Sequence, residues 1–197
     1  MRWSIETGLV SRETVDAIDR RYRAYLQGSV SELEICGEMV QMYQGLREAE
    51  LEQAAQVYVQ EHVSARVFPE MREILTELRA RGTEIWAVSS TNRWVIEQGV
   101  REFGIMPDRI LAASVRVIDG VLSNDLNDVP TDEGKATALR SVQLGSPEMV
   151  FGNSVHDAAM LALAHRPFAV NPTEALATLA AERGWPVYHP MSDRAGH

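Results

Sequence analysis

Met149-Val150-Phe151-Gly152-Asn153-Ser154-Val155-His156-Asp157-Ala158-Ala159-Met160-Leu161 decides the fold. Met149 to Phe151 read as a short buried strand. Gly152 permits a tight turn off its end, and Ala158 to Ala164 read as a helix. A strand running straight into a helix is half of a βαβ unit. In open parallel sheets ligands bind beyond the carboxyl ends of the strands. Asn153 and Asp157 therefore stand where oxygen ligands for Mg2+ would be offered. Helix capping is the plainer role for Asp157, and a partly exposed surface position the plainer one for His156.

The same alternation continues on both sides. Downstream, Pro167 to Val170 predicts a strand, Thr173 to Arg183 a helix, and Trp185 to Tyr188 an edge strand, where Pro186 is tolerated. Asn171-Pro172 reads as a turn. Upstream, Lys135 to Leu144 is helical, and Val115 to Leu122 predicts a hairpin turning at Asp119-Gly120. Asp125 to Asp128 reads as loop. Arg109 to Ala113 and Glu84 to Val88 are further strands, with a helix from Asn92 to Phe103 that Gly104 ends. Pro69 suits the first turn of a helix that Gly82 stops. Before it, Val15, Ile18, Tyr22 and Leu26 recur at helical spacing, Ser31 and Glu34 form a capping box, and a third helix runs from Glu48 to His62. The first helix shows no N-cap of its own in this reading. Strands alternating with helices imply an α/β fold with a parallel sheet covered on both faces. The expected organisation is an all-helical layer over 1–66, an α/β core over 67–191 and a frayed tail over 192–197.

Composition excludes several classes of function. Nineteen Lys and Arg against 28 Asp and Glu leave a net charge of −9 in 197 residues. That balance opposes a general nucleic-acid binder or a membrane-surface protein. One cysteine, Cys36, excludes an internal disulfide and a cysteine-based zinc cluster, and it reads as a buried structural thiol. No apolar run is long enough to span a bilayer, and the first residues carry no signal-peptide core, so a cytoplasmic location is expected.

Two further stretches could carry chemistry. Ser89-Ser90-Thr91-Asn92 follows a strand and leads into a helix N-terminus, so its hydroxyls and N–H groups could cradle a phosphate. Alone, a plain N-cap is the favoured explanation. Asp132-Glu133-Gly134-Lys135 puts a lysine in the first turn of a helix, where the dipole opposes a cation. The position makes sense if Lys135 faces an anion or a carboxylate.

In this order the stretches Trp86-Ala87-Val88-Ser89, Glu133-Gly134-Lys135 and Phe151 to Leu161 resemble motifs II, III and IV of the haloacid dehalogenase-like superfamily. The phosphoserine-phosphatase-like branch with a helical cap is the nearest subgroup. Phe168 to Pro172 and Glu182 to Val187 are similar to that branch too. The resemblance implies a Rossmann-like parallel sheet flanked by helices, with residues 1–66 as the small cap. It implies a Mg2+-dependent phosphomonoesterase acting on a small phosphorylated metabolite. Ser89, with Ser90 and Thr91, would bind the phosphoryl group. Lys135 would neutralise it and the nucleophile, and Asn153 and Asp157 would hold Mg2+.

Two departures stand beside the resemblance. The family's Asp-x-Asp-Gly-Thr motif, which carries the nucleophile on a central first strand, does not occur in the 197 residues. Asn153 stands where the family usually has Asp, so Mg2+ should bind weakly. The central first strand is therefore expected to be missing, and the strands flanking its place should pair directly or leave a gap whose edges invite self-association. A hydrolase whose 197-residue chain is inactive, a non-catalytic binding module of the same descent, and a receiver-like signalling domain are the competing functions. The third is disfavoured by the helical cap and the lack of an acidic pocket strand.

Overall fold

The computed structural model describes residues 7–190, so the expected tail at 192–197 lies outside the described residues. The chain divides into two compact units, one of residues 1–65 with 85–129, the other of 66–84 with 130–197. Each holds one three-stranded sheet.

In the first unit three helices precede the sheet: α1 (Arg12–Leu26), α2 (Glu32–Gln41) and α3 (Glu48–Tyr58). The first helix does have an N-cap: the Ser11 side chain accepts the Thr14 N–H. Ser31 and Glu34 close the capping box that opens α2. After α3 the backbone widens into a π-helical turn, Val59–Val63. The sheet follows as β1 (Ala87–Asn92), β2 (Ile110–Ile118) and β3 (Val121–Asp128), with a helix, α5 (Arg93–Val100), after β1. β1 runs parallel to β2, and β2 antiparallel to β3. Asp119 and Gly120, both at positive φ, make the tight turn between β2 and β3. Trp94, Ala113, Val115 and Leu122 pack with Val40, Leu51 and Ala55 into one core, so the helices bury their apolar stripes on the sheet. Trp94 also donates its indole N–H to Glu48 at 3.0 Å.

Three expectations need correction in this unit. Asp125 to Asp128 is strand, not loop: Leu126 and Asp128 pair with Val115 and Ser114. Arg109 to Ala113 is not a separate element, because Ile110 runs on without a break to Ile118. The first strand starts at Ala87 rather than Glu84 and continues through the hydroxyl run to Asn92. The polar character of Ser-Ser-Thr-Asn hides that extension. It is accommodated by a bulge, since Ser89 pairs with Ala112 and Asn92 with Ala113, which leaves Ser90 and Thr91 without ladder partners.

In the second unit α4 (Pro69–Ala80) begins with Pro69 at its first turn and ends at Gly82, φ +73°. Then come α6 (Glu133–Ser141), β4 (Met149–Gly152), the four-residue α7 (Ala158–Leu161), β5 (Arg166–Val170), α8 (Glu174–Arg183) and β6 (Val187–Tyr188). The predicted helix at 158–164 starts at Ala158 but ends after one turn, at Leu161, and a 3-10 turn, Val155–Asp157, precedes it. All three strands are parallel, in the order β4-β5-β6. Val150, Leu161, Ala169, Leu176 and Ala180 are buried between the sheet and its helices. Phe151 and Phe168 stack across the ladder at 5.1 Å between ring centres.

β1 and β4 each have a single neighbour in their own sheets, so each is an edge strand. β1 belongs to the sheet of the first unit and β4 to the sheet of the second.

Candidate active site

The second sheet brings its chemistry to the carboxyl end of β4. Lys135 lies in the first turn of α6 and Asp157 in the turn after β4, and both are buried, at 6% and 5% exposure. The Lys135 ammonium donates to Asp157 Oδ1 at 2.5 Å. Asp157 Oδ2 accepts the backbone N–H groups of Asn153 at 2.9 Å and Ser154 at 3.0 Å. Asp157 therefore caps its turn and pairs with the lysine at once. Gly152 is required beneath it: a Cβ there would stand 2.7 Å from Asp157 Cβ and 3.0 Å from Oδ2.

Asn153 is exposed, and its carbonyl accepts from Thr173 N at 2.8 Å, tying the loop after β4 to the one after β5. His156 is half-buried and bonds Asp132 Oδ1 through Nδ1 at 2.7 Å, so it is more engaged than a plain surface histidine. Around the same sheet edge, Asn171 takes a positive φ of 42° and bonds His189 at 2.9 Å, while Tyr188 donates to Glu70. The Glu70 carboxylate, by accepting that hydrogen bond, pushes the Tyr188 hydroxyl above the usual tyrosine range.

The hydroxyl run lies in the first unit. Ser89 Oγ accepts the Thr91 N–H at 3.1 Å, and the Ser90 hydroxyl donates to Glu32 at 3.0 Å. Thr91 is exposed in the bulge. Asn92 caps α5 through Val95 N. The structure thus brings Lys135, Asn153 and Asp157 together, and sets Ser89, Ser90 and Thr91 on the other sheet.

The donor set fits Mg2+ as a partial site. A carboxylate offers about four acceptor positions. Three on Asp157 are taken by Lys135, Asn153 N and Ser154 N, which leaves room for one cation contact. Asn153 is anchored beside Asp157 through its backbone N–H, and its amide oxygen would be a second, neutral ligand. Hard oxygen ligands of this kind suit Mg2+, which keeps several waters and substrate oxygens.

The lysine count is a further signal in the sequence. Lys135 is the only lysine of the chain; the other 18 of the 19 basic residues are arginines. A chain that uses arginine everywhere else and keeps one lysine, in a buried ion pair, has a site that needs a compact ammonium rather than a planar guanidinium.

The family model of the haloacid dehalogenase-like hydrolases matches residues 1–162. The chain belongs to that family. Among curated proteins it is 25% identical over 197 residues to a histidinol-phosphatase of Neisseria meningitidis serogroup C, covering 94% of this chain and 88% of that protein. It is 25% identical over 150 residues to a phosphoserine phosphatase of Mycobacterium tuberculosis, covering 73% of this chain and 48% of that protein, so it spans about half of that relative's length. A solved protein of unknown function from Bordetella pertussis Tohama I shares the fold, with a TM-score of 0.78, 20% identity and coverage of 88% of this chain and 81% of that one. As a haloacid dehalogenase-like hydrolase the chain has a Rossmann-like α/β architecture, and no described helix is long and apolar enough to cross a membrane.

Proposed function

We propose that the chain carries the phosphate side of a Mg2+-dependent phosphomonoesterase site for a small phosphorylated metabolite. The buried pairing of its only lysine with Asp157 carries the proposal. An ammonium in the first turn of a helix opposes the dipole, and burial raises that cost, so the position demands anions on its open side. Asp157 supplies one; a phosphoryl group would supply the next. In this reading Lys135 neutralises charge on the transferring group, and the hydroxyls of Ser89, Ser90 and Thr91 are separate candidate phosphate donors in the first unit. Asn153 and Asp157 would hold Mg2+, which when bound supplies positive charge against the phosphoryl oxygens. Residues 1–66 act as a helical cap that selects the substrate, and 67–191 as the core.

The aspartyl-phosphate route needs a carboxylate nucleophile. Asp157 is committed to Lys135 and two backbone donors, and no Asp-x-Asp occurs in the 197 residues. The purified 197-residue chain is expected to bind phosphate and to show no turnover on a panel of phosphomonoesters with Mg2+. Turnover that Asp157→Ala abolishes would mean the nucleophile is misassigned. Phosphate that fails to protect Lys135 from acylation would sink the site. The missing motif also favours a second reading, a non-catalytic binding module. An in-frame Asp-x-Asp-Gly-Thr in the coding DNA upstream of Met1 would decide for the hydrolase. The edge positions of β1 and β4 favour self-association, which sedimentation at rising concentration checks.

A further inference from the structure

We propose that Asp132 and His156 form a positioning clamp that holds Lys135 in place. The clamp deepens the phosphatase reading and rests on it for what Lys135 is held towards.

Asp132 has φ +46° and ψ −124°, a conformation that suits glycine and strains any other residue. It occupies the second position of a tight turn that Gly134 N closes on Thr131 O at 2.6 Å. The next bond, Lys135 N to Asp132 O at 3.1 Å, starts α6. The backbone of Asp132 therefore sets where Lys135 enters its helix. Glycine would satisfy that backbone better, so the aspartate is there for its side chain. Its Oδ1 lies 2.7 Å from His156 Nδ1.

His156 and Asp157 are consecutive, and so the turn at 131–135 and the turn at 152–157 are tied at two points. One tie is Lys135 to Asp157, the other Asp132 to His156. The first must loosen when an incoming anion shares the ammonium. The second touches neither the ammonium nor Asp157 and holds both turns in register meanwhile. Asp132 and His156 are positioning residues, acting through Lys135.

The single lysine makes the test direct, because acylation of the chain has one ε-amine to report. Asp132→Gly keeps the backbone conformation and deletes the tie. The initial acylation rate of Lys135, measured by mass spectrometry without phosphate, should rise about tenfold, the factor that corresponds to about 1.4 kcal/mol. His156→Ala should give the same rise, and the double variant no more than either single one. Asp132→Asn keeps an acceptor oxygen and should return the rate to within about twofold of wild type. Labelling of Cys36, which packs in the helical core of the other unit, should not change in any variant. An unchanged Lys135 rate in Asp132→Gly, a failed rescue by asparagine, or a parallel rise at Cys36 would each overturn the clamp. Loss of phosphate protection at Lys135 in the wild type would sink only the phosphatase reading.

Discussion

Removing Asp157 should cost far more stability than removing Lys135, although the two form one ion pair. Asp157→Ala leaves the Lys135 ammonium buried with its carboxylate gone, and frees the N–H groups of Asn153 and Ser154. Stranding a buried charge costs about 3–5 kcal/mol. Lys135→Met fills similar volume and leaves Asp157 with two backbone donors, so its cost is that of one lost charged bond, about 1–3 kcal/mol. For a chain of this size each kcal/mol moves Tm by about 2–4 °C. Asp157→Ala should then fall by about 6–20 °C and Lys135→Met by about 2–12 °C. Adding Lys135→Met to Asp157→Ala should recover about 1–3 kcal/mol, because the stranded ammonium goes with it. Thermal scans and urea titrations of the four proteins supply the cycle. Strictly additive losses, or two singles both under about 1 kcal/mol, would mean that the pair behaves as an exposed one and that the burial argument for the site is wrong.

Gly152→Ala forces a Cβ into Asp157 at 2.7 Å and should destabilise by about 1–3 kcal/mol while raising the acylation rate of Lys135. Burial raises the Asp128 carboxyl above its ordinary range, so folding favours its protonated form. Its charge therefore weighs against the fold above the raised folded value, and that penalty fades as pH falls towards the unfolded one. Asp128→Asn should raise Tm at pH 7, with the gain shrinking to nothing below about pH 4 in scans across that window. Leu122→Ala, at a position 1% exposed in the core of the first unit, should cost about 2–5 kcal/mol by urea titration.

Local punctuation was legible in the sequence wherever a residue has one strong backbone preference. The Ser31–Glu34 box, the Asp119-Gly120 turn, Pro69 at a helix start and Gly82 and Gly104 at left-handed helix ends all stand as read. The parallel pairing of β4 with β5 followed from strands alternating with helices along the chain. What stayed hidden depends on partners rather than on the residues themselves. The hydroxyl run at 89–92 is strand only because Ala112 and Ala113 pair with its two ends across a bulge. Asp125 to Asp128 reads as a turn-forming stretch by composition, yet β2 supplies its ladder. The positive φ of Asp132 is invisible, because aspartate does not announce a glycine-like conformation. Lys135, Asn153 and Asp157 each looked ordinary alone and were singled out together only through the family resemblance, whereas the Asp132–His156 bond needed coordinates.

The solitary, buried Lys135 has a consequence for proteolysis. An endoprotease that cuts only after lysine has one bond to attack in the whole chain, and would split it into 1–135 and 136–197. That bond lies in the first turn of α6, held by the folded second unit. Cleavage therefore requires that unit to open, whatever the first unit is doing. When reclosing outruns cleavage, the rate of appearance of the two fragments measures the equilibrium population of that opening. An arginine-directed protease, with 18 sites spread over both units, reports on opening anywhere. The ratio of the two rates gives the local stability of the sheet edge that holds the site, without a probe, a label or a substrate.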